Sequence, residues 1–239
     1  MKPAKRYVVC LKHGNKYSSE YVNKLYNMVQ RNLALDHEFV CFTENTQGID
    51  PHIRTESLEK LDGVSGWWYK PSFFNPKFIL QGTILFLDLD LIIFREIDPL
   101  FEYSPGKMCV IQDFNRSLFP KYPKINSSVV RFETGQHSEI YEDFVVDAKG
   151  VSRRFRGDQE WIYYCIRNKG YVLWPTEWIQ SYKWEMRDRP ALDKTKPKDQ
   201  RDFKENKNPT VLADTRVAVF HGDPNPKFCK DPWVVENWK

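Results

Sequence analysis

Residues 83–94 of this 239-residue chain read TILFLDLDLIIF and set two aspartates, Asp88 and Asp90, one residue apart inside an apolar run. If the run is one buried strand, both carboxylates point the same way, because side chains alternate faces with period two. Their Cα atoms then stand about 6–7 Å apart. Two charges at that spacing repel by roughly a few kcal/mol at an effective dielectric of ~20, and desolvation adds to the cost. A bound divalent cation removes both penalties, so Asp88 and Asp90 are the first candidate metal ligands. His221, in VAVFHGDPNPKF, is the third. It ends an apolar strand and enters a Gly/Pro-rich turn, where loops at strand ends hold functional groups. Two carboxylates with one imidazole suit Mn²⁺ or Mg²⁺ better than zinc. Lys227, six residues further on, is placed to reach a phosphate on that ion. The plain alternative for His221 is a hydrogen-bonded histidine at a strand end.

These residues need a scaffold. Residues 6–11, RYVVCL, read as the first strand. After a polar turn, Ser18 or Ser19 is placed to cap a helix whose Val22, Leu25, Val29 and Leu33 share one face. Residues 38–43, EFVCFT, read as the second strand. This strand–helix–strand opening argues for an α/β fold with a mostly parallel sheet flanked by helices. Residues 67–82, WWYKPSFFNPKFILQG, read as two helical pieces, the second opened by Asn75-Pro76 and closed by Gly82. Further strands are expected at 107–112, 127–132, 171–173 and 216–220, and helices at 138–148 and 158–168, the latter closed by Gly170. Residues 181–209, dense in mixed charge and proline, read as a surface excursion or lid. No internal repeat is visible. One domain over 1–239 is expected, with a nucleotide-binding part near 1–113 and a sugar and acceptor part near 114–239.

Composition narrows the function classes. The formal charge is only +4, and no basic block or RNA-binding signature appears, which argues against nucleic acid as a partner. The apolar run near the N-terminus is too short for a signal peptide. No uninterrupted run reaches the roughly 20 apolar residues that span a bilayer. The five cysteines are scattered without a CxxC pair, which favours reduced thiols over a zinc knuckle. A cytoplasmic location is expected. Aromatic residues make up 15% of the chain, a composition that serves sugar sites and cores alike.

The segments LFLDLDLII, INSSVVRF, GDQEWI and FHGDPNPKF, in that order, resemble the GT-A glycosyltransferases. The chain is most similar to glycosyltransferase family 8 and its phage and bacterial relatives, over roughly residues 6–228. The resemblance implies a single GT-A domain, Rossmann-like in its sheet. It implies transfer of a hexose from a nucleoside-diphosphate sugar, foremost UDP-glucose or UDP-galactose, to a hydroxyl acceptor such as a glycan, a lipid-linked sugar or a small molecule. Retention at the anomeric carbon is part of that expectation. Residue by residue, it puts Asp88, Asp90 and His221 on the metal and Lys227 on the diphosphate. Lys70, in WWYK, falls against the donor, and Asn126 and Ser127 line the sugar pocket. Asp158 and Gln159 form the catalytic pair at the sugar, with the Gln159 amide near the anomeric carbon. The turn from Leu11 through Lys12 to Tyr17 is expected to hold base and ribose, with Tyr17 placed to stack. Leu89 and Gly222 complete the expected donor site.

The chain departs from the family pattern at three places. Ser128 replaces the glycine of an FNxG element, the glycine after His221 has moved within HGDPNPK, and Lys12 and His13 stand where an acidic base-reader is usual. Each residue also has a plainer reading. Asp158 can be a helix N-cap, Gln159 a solvated first-turn residue, Lys70 a surface lysine and Asn126 a turn residue. Lys12 and His13 can be loop residues, and Trp67, Trp68, Phe73 and Phe74 read as core. Glu177-Trp178 and Ser181-Tyr182-Lys183 are candidates for an acceptor wall, and Asp113 or Asp158 for a base if the reaction inverts. The competing classes are a haloacid dehalogenase-like phosphatase, a sugar nucleotidyltransferase, and a non-catalytic nucleotide- or carbohydrate-binding module. The strand continuing as Leu91-Ile92-Ile93 speaks against the phosphatase. The lack of a glycine-rich loop after the first strand speaks against the nucleotidyltransferase.

Overall fold

The structure, a computed structural model, describes residues 5–59, 61–187 and 210–239. In chain order the elements open with Arg6–Lys12 (β1), Ser19–Asn32 (α1), Glu38–Thr43 (β2), Arg54–Glu56 (β3), Thr83–Leu87 (β4) and Leu91–Ile93 (β5). Pro99–Glu102 (α2), Cys109–Gln112 (β6), Ile125–Glu133 (β7), Glu139–Val146 (α3), Ala148–Arg154 (α4) and Asp158–Ile166 (α5) follow. The described elements end with Val172–Leu173 (β8), Ile179–Ser181 (β9), Val217–Val219 (β10) and Pro232–Asn237 (α6). A seven-stranded sheet runs in the order β3-β2-β1-β4-β7-β6-β8, and a smaller three-stranded sheet in the order β5-β10-β9. In the large sheet β7 alone runs antiparallel to its neighbours β4 and β6; the other pairings are parallel. The expected α/β fold with a mostly parallel sheet is therefore present.

The central strands read as apolar runs because both sheet faces are covered. Val8, Cys10, Leu85 and Leu87 pack toward α1 on one face. Tyr7, Val9, Ile84 and Phe86 pack on the other, under α3, α5 and the 3₁₀ segment Gly66–Phe74. Pairing β4 beside β1 requires Gly82, whose φ is +147°; a Cβ there would lie 2.1 Å from the Lys5 carbonyl oxygen.

Four expectations are corrected. The run 83–94 is not one strand: β4 stops at Leu87, and β5 pairs antiparallel with β10 in the other sheet. Residues 88–90 are the crossing between the two sheets. The Asp88 N–H donates to Ser128 O (2.9 Å) on β7, and Asp90 O accepts from Phe220 N (2.8 Å). In residues 67–82 only the first piece is helical, as a 3₁₀ stretch; 76–82 are turns, and Pro71 and Pro76 lack the N–H that an α-helix needs. Ser18 occupies the N-cap of α1 without a side-chain cap bond. Of the expected surface excursion, Ser181, Tyr182 and Met186 are buried, in a short π-helical turn at Tyr182–Met186; residues 188–209 lie outside the described residues.

β7 carries a site segment, Asn126 to Ser128, and is fixed further along by Arg131. That guanidinium is 1% exposed. It donates to Phe101 O (2.9 Å), Ser104 O (2.6 Å) and Lys107 O (2.7 Å), and so caps the end of α2 and the loop behind it. Arg131→Met strands these buried carbonyls. It is expected to cost about 3 kcal/mol in urea unfolding, and Arg131→Lys to recover only part, because an ammonium lacks the fork that spans several acceptors.

Candidate active site

The strand order reverses between β1 and β4, so the loops leaving their carboxyl ends diverge and open a crevice. A cleft of about 270 Å³ lies there. Leu11, His13, Lys16 and Tyr17 enter it from β1 and the turn after it, and Asp88, Leu89 and Asp90 from the crossing after β4. Asn126, Ser127 and Ser128 come from the start of β7, which faces the cleft because β7 runs the other way. Gly66, Trp67 and Lys70 reach it from the 3₁₀ segment, Asp158 and Gln159 from the start of α5, and His221 from beyond β10.

Lys70 is the centre of the charge arrangement. Its Nζ lies 2.9 Å from Asp88 Oδ1 and 3.2 Å from Asp158 Oδ2. It also donates to Ser127 O and Oγ, both at 3.3 Å, and Ser127 Oγ donates to Asp158 Oδ2 at 2.6 Å. Burial pushes the ammonium toward neutrality, but Asp158 and Asp88 outweigh it and hold Lys70 charged, above its ordinary range. Burial likewise raises Asp158, against the pull of Lys70 and Ser127. Two plain readings fall here. Lys70 is not a surface lysine, and Asp158 is not a cap: Gly157 holds the N-cap position of α5 and the Asp158 carboxylate turns inward.

Asp90 is buried beside this group and accepts a 2.6 Å hydrogen bond from the Tyr17 hydroxyl. Burial, then repulsion from Asp88, pushes its pKa up to about 6. His221 Nε2 lies 2.6 Å from Ser181 Oγ, and its ring stacks on Phe114 at 5.2 Å between centroids. Burial, then the nearby Lys183, lowers it to about 4, so the imidazole is neutral, the form that ligates metals. Among the described residues no three His, Cys, Asp or Glu side chains already form a metal-holding cluster. The expected convergence of Asp88, Asp90 and His221 is thus not preformed, because Lys70, Tyr17 and Ser181 engage them one by one. The donor set nonetheless suits Mn²⁺ or Mg²⁺ in kind: oxygen-rich, on one cleft, with the charged form of Asp90 disfavoured by burial and by Asp88.

Gln159 is oriented from both ends. Its Oε1 accepts from Asn126 Nδ2 (3.2 Å) and its Nε2 donates to Asp113 Oδ2 (3.3 Å). Asp113 also accepts from the Asn115 backbone and side-chain amides. A second cavity, of about 340 Å³, lies beside the first and shares Trp67, Asp158 and Gln159 with it; Asp113, Tyr122 and Arg156 are among its other walls.

Three expected donor residues do not line the cleft. Lys12 ends β1 as a buried side chain. Gly222 follows His221 with φ +94°. Lys227 pairs with Glu20 on α1 at 2.9 Å, both partly solvent-exposed. Conversely His13, Lys16, Trp67 and Ser128 do line it. Trp67 is 49% exposed, against its reading as core, whereas Trp68, Phe73 and Phe74 are buried as expected. Nothing in a Trp-Trp pair tells which ring turns outward. Trp178 and Tyr182, of the expected acceptor wall, pack instead against Tyr103 and Phe220. Lys70→Met leaves Asp88 and Asp158 without their shared cation. It is expected to destabilise the fold by about 3 kcal/mol, read from denaturant midpoints, and a midpoint equal to wild type contradicts this.

The fold has clear counterparts among solved structures. The galactosyltransferase LgtC, in complex with donor and acceptor sugar analogues, superposes with a TM-score of 0.63 at 12% identity, over 96% of this chain and 93% of that one. The glycosyltransferase GlyE of Streptococcus pneumoniae TIGR4 superposes with a TM-score of 0.63 at 13% identity, over 98% of this chain and 62% of that one. No protein-family model and no curated protein matches the sequence. No described helix is long and apolar enough to cross a membrane. The chain has the fold of these glycosyltransferases, the GT-A fold that its sequence motifs resemble.

Proposed function

We propose that the chain is a metal-dependent glycosyltransferase that moves a hexose from a nucleoside-diphosphate sugar, UDP-glucose or UDP-galactose foremost, to a hydroxyl acceptor. One observation carries the reading: three carboxylates, the buried Asp90 and Asp158 and the partly exposed Asp88, line one cleft with one buried ammonium, Lys70, at the reversal point of the strand order. An excess of negative charge in a cleft suits a site that takes up a cation together with an anionic ligand. Asp88, Asp90 and His221 would hold Mn²⁺ or Mg²⁺, which stabilises negative charge growing on the departing diphosphate. Asp158 and Lys70 would take sugar hydroxyls, since a charged partner makes the stronger hydrogen bond. The tethered Gln159 amide stands at the boundary of the two cavities, where the anomeric carbon passes from donor to acceptor. Leu11, His13 and Tyr17 would form the side for base and ribose, and Lys227 would have to leave Glu20 to meet the diphosphate.

In the reaction the bond from the anomeric carbon to the phosphate oxygen breaks and its electron pair stays on that oxygen. The acceptor oxygen bonds to the anomeric carbon, and the acceptor proton passes to the leaving phosphate. The two carboxylates that could serve as a base for inversion are both occupied: Asp158 by Lys70 and Ser127, Asp113 by Asn115 and Gln159. That favours retention, with the leaving phosphate taking the proton.

The test is a donor panel of UDP-, GDP-, ADP- and CMP-sugars with and without Mn²⁺. UDP-sugars are expected to be consumed only with the metal, and Asp90→Asn to abolish turnover in a chain that still folds. Full activity in excess EDTA sinks the metal reading, and a clear preference for GDP-sugars sinks the uridine reading. Asp158→Asn keeps the side-chain shape and leaves Lys70 its contact with Asp88. It is expected to reduce transfer by about 10²-fold or more, with a smaller loss of thermal stability than Lys70→Met causes. Near-normal transfer removes Asp158 from the sugar site.

A further inference from the structure

The second cavity leads away from Gln159 past Tyr122, which also lines an open hollow of about 700 Å³ walled by Phe119, Pro120, Lys121 and Pro123. Trp67, half-exposed, stands where the second cavity meets the first cleft. The three spaces therefore follow one another along the surface, each sharing a wall with the next. Their chemistry changes on the way. Carboxylates and amides furnish the first two, whereas the hollow is framed by two aromatic rings and two prolines.

The hollow is built by the loop between β6 and β7, and the backbone of that loop is held in place. At its root Phe114 stacks on His221, and Arg116 pairs with Glu185 at 2.8 Å. Asp113 N donates to Lys124 O (3.0 Å) and closes the loop. Gln112 Nε2 donates to Pro120 O (2.8 Å) and Tyr122 O (3.2 Å), and Tyr122 N donates to Phe119 O (2.8 Å). Pro120 and Pro123 restrict φ within the tip. Yet Leu118 and Phe119 are 61% and 62% exposed. A pinned backbone thus holds two large apolar side chains in water, at a cost that covering them with a ligand removes.

We propose that the acceptor is amphipathic: its hydroxyl-bearing head sits in the second cavity, and an apolar group, alkyl or aryl, lies on Phe119, Pro120, Tyr122 and Pro123. The assignment rests on the transferase reading above, and continuity with the reaction site selects this occupant. A molecule that presents a hydroxyl at the Gln159 end of the second cavity can extend along the wall that Tyr122 shares with the hollow. Aromatic faces bury an alkyl chain and an aryl ring alike, so both groups answer to one chemistry.

NMR titrations of the full chain with Mg²⁺ and UDP compare free glucose and galactose with their phenyl and octyl glycosides, the octyl compounds below their micelle concentration. At least one glycoside is expected to bind about tenfold more tightly than its free sugar. A gain for the octyl compound alone identifies an alkyl chain and a gain for the phenyl compound alone an aryl group; either supports the assignment, as do both together. Phe119→Ala is expected to remove most of the gain and Phe119→Leu to keep most of it, with unfolding midpoints unchanged. Val146→Ala trims an exposed apolar side chain on α3 that lines none of the three spaces, and is expected to leave the gain intact. Glycosides that bind no more tightly than free sugars overturn the assignment, as does a gain that survives Phe119→Ala or is lost equally in Val146→Ala. A chain that consumes a nucleotide sugar in the donor panel but shows no gain overturns this assignment alone. A chain that consumes none of the donors overturns the transferase reading, and the acceptor role with it.

Discussion

The Lys70 ammonium, enclosed by Asp88 and Asp158, joins three segments that the chain order keeps apart: the 3₁₀ stretch before β4, the crossing after β4 and the start of α5. An ammonium taken out of water needs close negative partners, and carboxylates taken out of water need a cation. Each of the three segments therefore fixes the others. Ser127 seals the arrangement from β7 by bonding both Lys70 and Asp158. The cleft keeps its shape because its floor is a set of mutually compensating charges over a packed sheet.

That floor also explains the state of the remaining polar groups. Asp90 is left outside the Lys70 pairing, and its carboxylate accepts a hydrogen bond from the Tyr17 phenol. His221 is neutral, and its ring rests on Phe114. Gln159 is braced between Asn126 and Asp113. The cleft thus combines a rigid, paired half around Asp158 with a half around Asp90 and His221 held by single hydrogen bonds. The first half suits a neutral sugar with many hydroxyls, and the second suits partners whose charge arrives from solution.

Elements with a strong local signal were legible in the sequence. β2 matches its expected span, β1 differs by one residue, and the apolar stripe of α1 faces the core. The aspartate run was legible in composition but not in path. An apolar stretch buried on both sides reads as one strand whether or not it changes sheet, and only pairing with β7 and β10 shows that it does. The shared cleft of Asp88 and Asp90 was anticipated by side-chain alternation, yet it arises from the crossing. The role of Lys70 came from resemblance alone, because a buried lysine is recognisable only once its carboxylates are in place. Trp67 and Lys227 carry no local signal for their final settings, one facing the cleft and the other drawn to α1.

The crossing at residues 88–90 has a consequence for how the molecule assembles. Its Asp88 end is hydrogen-bonded to β7 and its Asp90 end to Phe220, while β5, among the described residues, pairs with β10 alone, more than a hundred residues later. Closing that loop costs chain entropy before any contact repays it, so the small sheet belongs to the slow, non-local part of folding. The large sheet can form from β1, β2, β4 and β7 without it. The strands of the small sheet are nonetheless not an appendage: Leu91, Ile92, Ile179, Val217 and Val219 are buried in one apolar cluster with Val8, Leu85 and Leu87 of the large sheet. The crossing therefore ties the shape of the cleft to the closing of the core as a whole.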